Sequence, residues 1–288
     1  MSEPREACRS AARARSQAEY RFVSDDIWPI LQRWPWDPNG TVRRIVGDDG
    51  RERVQIRLYM NGCHGLLQFE CDGRPDGESP YGGEYALEYY ERQGAADPGL
   101  RLNKQQAKEL IDEGTSVYHR YVVMFQMGDF ARVVRDAERN MRLFRFMRQY
   151  ARREEDRSHL ERWWPYIIRI HGTARAMLCL AEGNLDQAGQ CVREAVEQIR
   201  GLEEMDDETF VFERKRSLDV LTELTGQIDE QRPRTRVEEL ERLKDRAIRQ
   251  ENYELAARLR DRINRLKAGG AGDTPEGEPG GPAQESDG

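Results

Sequence analysis

Cys63, His64 and Cys71 bring two sulfurs and an imidazole close together in the chain, the donor types that zinc prefers. A closed structural zinc site takes four such ligands, and a catalytic one takes three and a water. No Cys-x-x-Cys accompanies this trio and no fourth ligand lies nearby, so His64 reads as a turn residue, Cys71 as a core residue, and no metal is expected. The acidic runs Glu154-Glu155-Asp156, Glu203-Glu204 and Asp206-Asp207-Glu208 lack the alternation and glycine of an EF-hand. They suit helix N-termini and solvated loops. His119, His159 and His171 fall in helical segments with no nucleophile motif beside them. Gly-x-Ser-x-Gly, Walker A and Gly-x-Gly-x-x-Gly are absent. Trp163-Trp164 before Pro165 reads as core and helix start rather than a platform for bases. No catalytic residue, no cofactor and no enzyme is therefore expected. The turn-rich loop Asp72 to Gly83 is where an unrecognised activity would sit.

The elements that would position these residues follow from periodicity. Between Thr41 and Cys71 the period is two: Val54, Ile56, Leu58 and Met60 alternate with Arg53, Gln55, Arg57 and Tyr59, and Leu67, Phe69 and Cys71 alternate with Gln68 and Glu70. Gly47-Asp48-Asp49-Gly50 and Asn61-Gly62-Cys63-His64-Gly65 supply turns for a three-stranded antiparallel meander with one wet face. So small a sheet needs a cover. A short helix from Glu84 to Arg92 and the Trp28-Pro29, Trp34-Pro35, Trp36-Asp37-Pro38 segment are the expected ones.

After Asp97-Pro98-Gly99 the chain reads as helices to Ile228. Hairpins turn at Gly128-Asp129-Phe130, between Tyr118–Met127 and Ala131–Tyr150, and at Gly183-Asn184-Leu185, between Tyr166–Glu182 and Asp186–Leu202. Their small-polar-apolar corners, above all Leu180-Ala181-Glu182-Gly183-Asn184-Leu185-Asp186-Gln187-Ala188, are similar to those of tetratricopeptide (TPR) helix pairs, although the turns lie 55 residues apart rather than at that repeat's period of about 34. A further helix, Asp207 to Ile228, offers Phe210, Phe212, Leu218, Leu221 and Leu224 to close the stack.

The strongest pattern comes last. From Arg234 to Leu266 two helices each carry an apolar stripe: Val237, Leu240, Leu243, Ala247 and Ile248 on the first, and Leu255, Ala256, Leu259, Ile263 and Leu266 on the second, with Tyr253 and Ala257 at the margin. Gln250-Glu251-Asn252 makes the reversal, with Asn252 as N-cap and Glu254 in the first turn. Glu238 to Arg242, Glu254 to Arg258 and Asp261 to Arg265 are acid-first pairs four apart. The run Glu251-Asn252-Tyr253-Glu254-Leu255-Ala256-Ala257-Arg258-Leu259-Arg260-Asp261-Arg262-Ile263, preceded by Leu240 and Leu243 to Ile248, resembles the UVR motif of the excision-repair subunits UvrB and UvrC, of ClpC-type chaperone ATPases and of McsA-type regulators. The resemblance implies a docking hairpin that pairs with another helical hairpin as a small four-helix bundle, and no catalysis. Leu255 departs from it, where a charged residue is expected. Gly65-Leu66-Leu67-Gln68-Phe69-Glu70 and Tyr81-Gly82-Gly83 look similar to the front part of uncharacterised bacterial proteins that end in a UVR hairpin, which implies no activity.

With 34% charged and 38% hydrophobic residues in 288, the chain suits a helix-rich protein of two modest domains. It has no apolar run long enough to span a membrane. Arg5, Arg9, Arg13 and Arg15 are interrupted by Glu3, Glu6 and Glu19 without an apolar stretch behind them, which argues against export. Five cysteines without framework spacing argue against disulfides, so the cytoplasm is expected. Arg234 to Lys267 carries eleven Arg or Lys against seven Asp or Glu, so +4, and the remainder of a chain of net charge −7 carries −11.

The reading is an α+β protein, mostly α: an N-terminal arm over 1–24, a small sheet-plus-helix domain over 25–96, a TPR-like helical domain over 100–230, a UVR hairpin over 234–267 and a disordered acidic tail over 268–288. The expected function is a non-enzymatic interaction adaptor or regulator. It would dock a partner hairpin, of UVR type or from a second copy, through Val237, Leu240, Leu243, Ala247, Ile248, Tyr253, Ala256, Leu259, Ile263 and Leu266. One alternative is a nucleic-acid-associated repair accessory touching phosphates with Arg242, Arg246, Arg249, Arg258 and Arg262. The other is an enzyme using the Asp72 to Gly83 loop.

Overall fold

The computed structural model describes residues 26–83, 85–231 and 236–268. The arm expected over 1–24, the linker residues 232–235 and the tail from 269 onward lie outside them. The chain is mostly helical (66%), with a three-stranded antiparallel sheet near its N-terminus and a helix pair near its C-terminus. It divides into two compact units, Met1–Thr225 and Gly226–Gly288.

In the first unit, α1 (Trp28–Arg33) precedes β1 (Val42–Val46), β2 (Glu52–Met60) and β3 (Cys63–Glu70), which pair in the order β1-β2-β3. Asn61 and Gly62 both have positive φ, 52° and 83°, which makes the β2–β3 connection a two-residue loop whose twist suits a hairpin. The turn is therefore shorter than the expected five residues. Cys63, His64 and Gly65 belong to β3, and His64 sits opposite Tyr59 in the ladder.

Val42, Val54, Ile56 and Phe69 point to one face of the sheet and join a core with Val117, Tyr121, Met124, Val133, Ile170 and Ala174. The cover on this side comes mainly from the long helices α3 (Lys104–Gln126), α4 (Phe130–Tyr150) and α6 (Trp164–Ala181), with Tyr85 as a smaller contributor. The opposite face is wet only in part, because Gln55 and Arg57 are buried while Tyr59, His64 and Gln68 are exposed. Arg43, Gln55 and Gln68 are register partners across all three strands. Their side chains form a hydrogen-bond ladder, Arg43 Nη2 to Gln55 Oε1 at 2.7 Å and Gln55 Nε2 to Gln68 Oε1 at 2.9 Å. Arg57 donates to the Leu31 carbonyl of α1 at 3.2 Å, and the Arg43 guanidinium lies over the Trp34 ring. Polar side chains that satisfy one another tolerate burial, so alternation marked the apolar face without marking the other as exposed.

α2 (Ala86–Ala96) lies on α3 and α4, burying Leu87 and Tyr90. Its own N-cap side chain makes no capping bond. Instead the buried carboxylate of Glu113, on α3, accepts from Ala86 N at 2.9 Å and Leu87 N at 3.2 Å. A carboxylate suits the positive end of a helix. Glu113 also accepts from Arg74 at 2.9 Å and from Arg139.

Arg120 of α3 is fully buried. Its Nε and Nη2 donate to Asp136 of α4 at 2.7 and 2.9 Å, Nη1 donates to the Glu70 and Gly73 carbonyls at 3.0 and 2.6 Å, and Nη2 also reaches the Tyr85 hydroxyl at 3.2 Å. All five N–H donors of the guanidinium are used. Burial opposes the charge and is the largest single influence, but the Asp136 hydrogen bond and charge together leave the Arg120 pKa raised. Close by, Arg132 and Arg135 both hold Asp72.

The corners expected for the two helical hairpins fall where the helices break. Gly128 and Gly183 take φ of 74° and 76°. Asp129 and Asn184 cap α4 and α7 (Leu185–Arg200) by accepting from Arg132 N and Gln187 N. A short helix, α5 (Glu154–Glu161), stands between the pairs, its first turn formed by the acids Glu154, Glu155 and Asp156. Gly172 of α6 faces Ala195 of α7 so closely that a Cβ would come within 2.5 Å of the alanine's. On α8 (Glu208–Gln231), Phe210 and Leu221 are buried, but Phe212 is 62% exposed, contrary to expectation. Two residues two apart on a helix point in nearly opposite directions, so both phenylalanines cannot face the stack.

Asp136→Ala leaves Arg120 buried without its counter-charge and is expected to lower stability by about 3–5 kcal/mol in urea unfolding. The Arg132 hydrogen bond, opposed by burial and aided by Arg135, lowers the Asp72 pKa to about 2. A folded value below the unfolded one of about 3.9 means that the contribution is whole above pH of about 4 and is lost as pH falls toward about 2. The melting-point difference between the native chain and Asp72→Asn should accordingly shrink to nothing across that window.

Candidate functional site

The C-terminal unit holds the hairpin, α9 (Arg236–Arg249) and α10 (Tyr253–Ala268). Asn252 N donates back to the Ala247 carbonyl at 2.8 Å, closing α9, and Asn252 Oδ1 accepts from Leu255 N at 3.1 Å, opening α10. The residue between, Glu251, has φ 57°, the left-handed conformation that glycine supplies at the two earlier corners.

The ten apolar residues expected to form one seam do not share one surface. Leu240, Ala247, Ala256 and Ile263 are buried and form the contact between the helices. Val237, Leu259 and Leu266 are half-buried, whereas Leu243, Ile248 and Tyr253 are 48%, 46% and 67% exposed. Leu255, the departure from the motif, is exposed as well. At about 100° per residue Leu243 falls on one side of the Leu240–Ala247 row, and Val237 and Ile248 fall on the other. On the antiparallel α10, Leu255, Leu259 and Leu266 adjoin Leu243, while Tyr253 and Ala257 adjoin Ile248. The hairpin thus has a spent inner seam and two outer flanks.

The flanks differ in charge. On the Ile248 side Glu241 meets Lys267 across the two helices at 2.7 Å, and Lys244–Asp245 and Arg260–Asp261 lie at 3.8 and 2.8 Å. The Lys267 hydrogen bond lowers the Glu241 pKa. On the Leu243 side Arg246 and Arg262 rim the apolar row, with Arg242 and Arg249 behind, and none of these four has an ion pair among the described residues. Of the expected intrahelical pairs, Glu254–Arg258 forms, at 2.5 Å. Asp261 pairs with Arg260 instead of Arg265, and Arg242 does not pair with Glu238. Periodicity could not distinguish inner from outer leucines, since both recur at helical spacing. The alanines marked the inner side.

The other candidate residues are dispersed. Cys71 is fully buried in the sheet core, where burial pushes its thiol pKa up, and Cys63 is exposed at the far end of β3. His64 is no turn residue: its ring lies against Tyr59 and Trp28, with centroids 4.9 and 5.9 Å away. Among the described residues no three His, Cys, Asp or Glu lie close enough to share a metal ion. His171 pairs with Glu138 at 3.1 Å, while His119 is exposed.

The Asp72 to Gly83 loop is anchored over Asp72 to Asp76 and again at Tyr81. Asp72 is held by Arg132 and Arg135, Gly73 O accepts from Arg120 and Tyr85, Arg74 binds Asp76 at 2.6 Å, and Tyr81 donates to Glu109 at 2.5 Å. Arg74 hydrogen bonding lowers Asp76, and the Asp76 bond raises Arg74. Burial, with the Glu109 bond, raises Tyr81. Each shift moves a group away from neutral pH, the reverse of what a general acid or base requires.

Residues 234–269 match the UVR family, described as the UvrB/uvrC motif. No curated protein and no solved structure matches the chain.

Glu251→Gly removes left-handed strain at a corner that glycine fits, and should stabilise the hairpin by about 1 kcal/mol, slowing amide exchange in α9 and α10 about fivefold.

Proposed function

We propose that the chain is a non-enzymatic adaptor or regulator of the bacterial cytoplasm that docks a partner's helical hairpin on the Leu243 flank of its own. The observation that supports this is an apolar row, exposed Leu243 and Leu255 with half-buried Leu259 and Leu266, on the flank of a hairpin whose inner contact is already made, beside Glu239 and arginines that have no ion pair among the described residues. Burying such a row gains about 25 cal/mol per Å² of apolar surface. The free guanidinium groups favour a partner with carboxylates along its own rim. The matched UVR motif is associated with interaction and DNA repair, which agrees with an adaptor. The helical hairpins of the first unit, TPR-like in their corners, would serve as a second contact surface. The absence of catalysis belongs to this reading, supported by loop groups whose pKa values are shifted away from neutral pH.

Arg242, Arg246, Arg249 and Arg262, without ion pairs among the described residues, favour a second reading, contact with nucleic-acid phosphates in a repair complex. The two separate on salt: phosphate contacts make log affinity for duplex DNA fall steeply with log salt, whereas an apolar docking face does not.

Leu243→Asp with Leu255→Asp alters two exposed side chains, so circular dichroism should stay unchanged while crosslinking to a helical-hairpin partner is lost. Retention of every partner by the folded double variant would overturn the docking reading.

A further inference from the structure

In the first unit, α3, α4, α5 and the start of α6 enclose a cavity of about 270 Å³. Its walls are rings: Tyr118 and Tyr121 from α3, Phe144 from α4, and Trp163 and Tyr166 where α6 begins. Tyr121 and Phe144 are buried, whereas Tyr118 and Trp163 are 37% and 38% exposed, so the rings run from a closed floor to an open mouth. They meet edge to face: Tyr118 and Tyr166 at 5.9 Å and 61°, Trp163 and Tyr166 at 6.2 Å and 84°, Tyr118 and Tyr121 at 5.5 Å and 90°.

The lining also states the charge of what belongs inside. Among the described residues no Asp, Glu, Lys or Arg lines the cavity. An aromatic cage for a cation gains from a nearby carboxylate and from free ring faces. No carboxylate stands in the lining itself, and the Arg169 guanidinium already lies 5.0 Å over the Tyr166 ring. A cation would meet a ring whose π density is in use. A neutral, electron-rich aromatic group would not. The polar groups are mostly committed: Asn140 donates to the Gly114 carbonyl at 2.8 Å, and Thr115 to the Ile111 carbonyl at 2.8 Å. His159 is exposed at the lining and makes no hydrogen bond among the described residues, so its imidazole, beside the hydroxyls of Tyr118, Tyr121 and Tyr166, can meet a polar edge.

We propose that this cavity binds a small neutral aromatic molecule, about two fused rings in size, stacked among Tyr118, Trp163 and Tyr166 and hydrogen-bonded to His159. The size follows from comparison, since an apolar cavity of about 150 Å³ accommodates benzene. The site is separate from the hairpin and stands whether or not that hairpin docks a partner.

Indole serves as the probe, titrated into the full-length chain by calorimetry and followed by ligand-observed NMR, with tetramethylammonium as the cationic control. Indole is expected to bind saturably at one site, and tetramethylammonium neither to bind there nor to compete. Thr115→Trp, which places a ring in the mouth, should weaken indole by at least about tenfold. His159→Leu should weaken it by roughly threefold to tenfold, the worth of one hydrogen bond. If Thr115→Trp fails to fold, Tyr118→Ala, which removes a half-exposed ring, replaces it with the same expected loss. Absence of saturable indole binding, unchanged affinity in the folded mouth variant, or displacement of indole by tetramethylammonium would each overturn the assignment.

Discussion

A guanidinium with no access to water must place every one of its donors, and Arg120 places them on four different parts of the first unit: the helix α4 through Asp136, the end of β3 through the Glu70 carbonyl, the loop through Gly73, and the approach to α2 through Tyr85. The sheet contributes backbone carbonyls rather than side chains to this arrangement, so the strand end is held wherever Arg120 is held. Asp136 has a second neighbour, Arg135, which also reaches Asp72 and the Cys71 carbonyl. The consequence is that sheet, loop and helical hairpin share one electrostatic centre as well as one apolar core, and none of the three can shift without stranding a buried charge.

The two units use charge in opposite ways. Around Arg120 and Glu113, acids and bases are matched and withdrawn from water, and they fix geometry: Glu113 caps α2 from a neighbouring helix and restrains Arg74 and Arg139. In the hairpin the ion pairs are exposed, where each is worth little, and four arginines are left without a partner among the described residues. Matched buried charge is structural expense already met within the fold. Exposed arginines beside an apolar row are the feature on which the proposed docking face rests.

Much of this was legible from residue pattern alone. The three strands, the corners at Gly128-Asp129 and Gly183-Asn184, and the hairpin with Asn252 as its cap all follow from period and turn chemistry, which act over a few residues. What escaped the sequence depends on partners far along the chain. Gln55 and Arg57 alternate as outward residues should, yet are buried: Arg43 and Gln68 satisfy Gln55, and Arg57 reaches the Leu31 carbonyl of α1 through Nη1 while its Nε has no partner among the described residues. His64 moved from turn to strand because Asn61-Gly62 alone suffices to reverse the chain. Arg120 looked like one more charged helical residue, since nothing local announces that Glu70, Gly73, Tyr85 and Asp136 converge on it. The ring-walled cavity was hidden for the same reason: its aromatic residues come from three helices and read individually as core.

The division of the hairpin's apolar residues has a simple steric cause. Ala247 and Ala256 stand opposite each other next to the corner, and two such small side chains let the helix axes approach closely. Close approach narrows the inner seam to residues pointing directly across it, which are Leu240 and Ile263 farther along. Leucines one position round the helix, Leu243 and Leu255, then have no room inside and project from the flank. Larger residues at the two alanine positions would hold the helices apart and draw those leucines inward, giving a better-covered hairpin with less apolar surface left outside. The tight alanine contact therefore both closes the hairpin and keeps its outer row available.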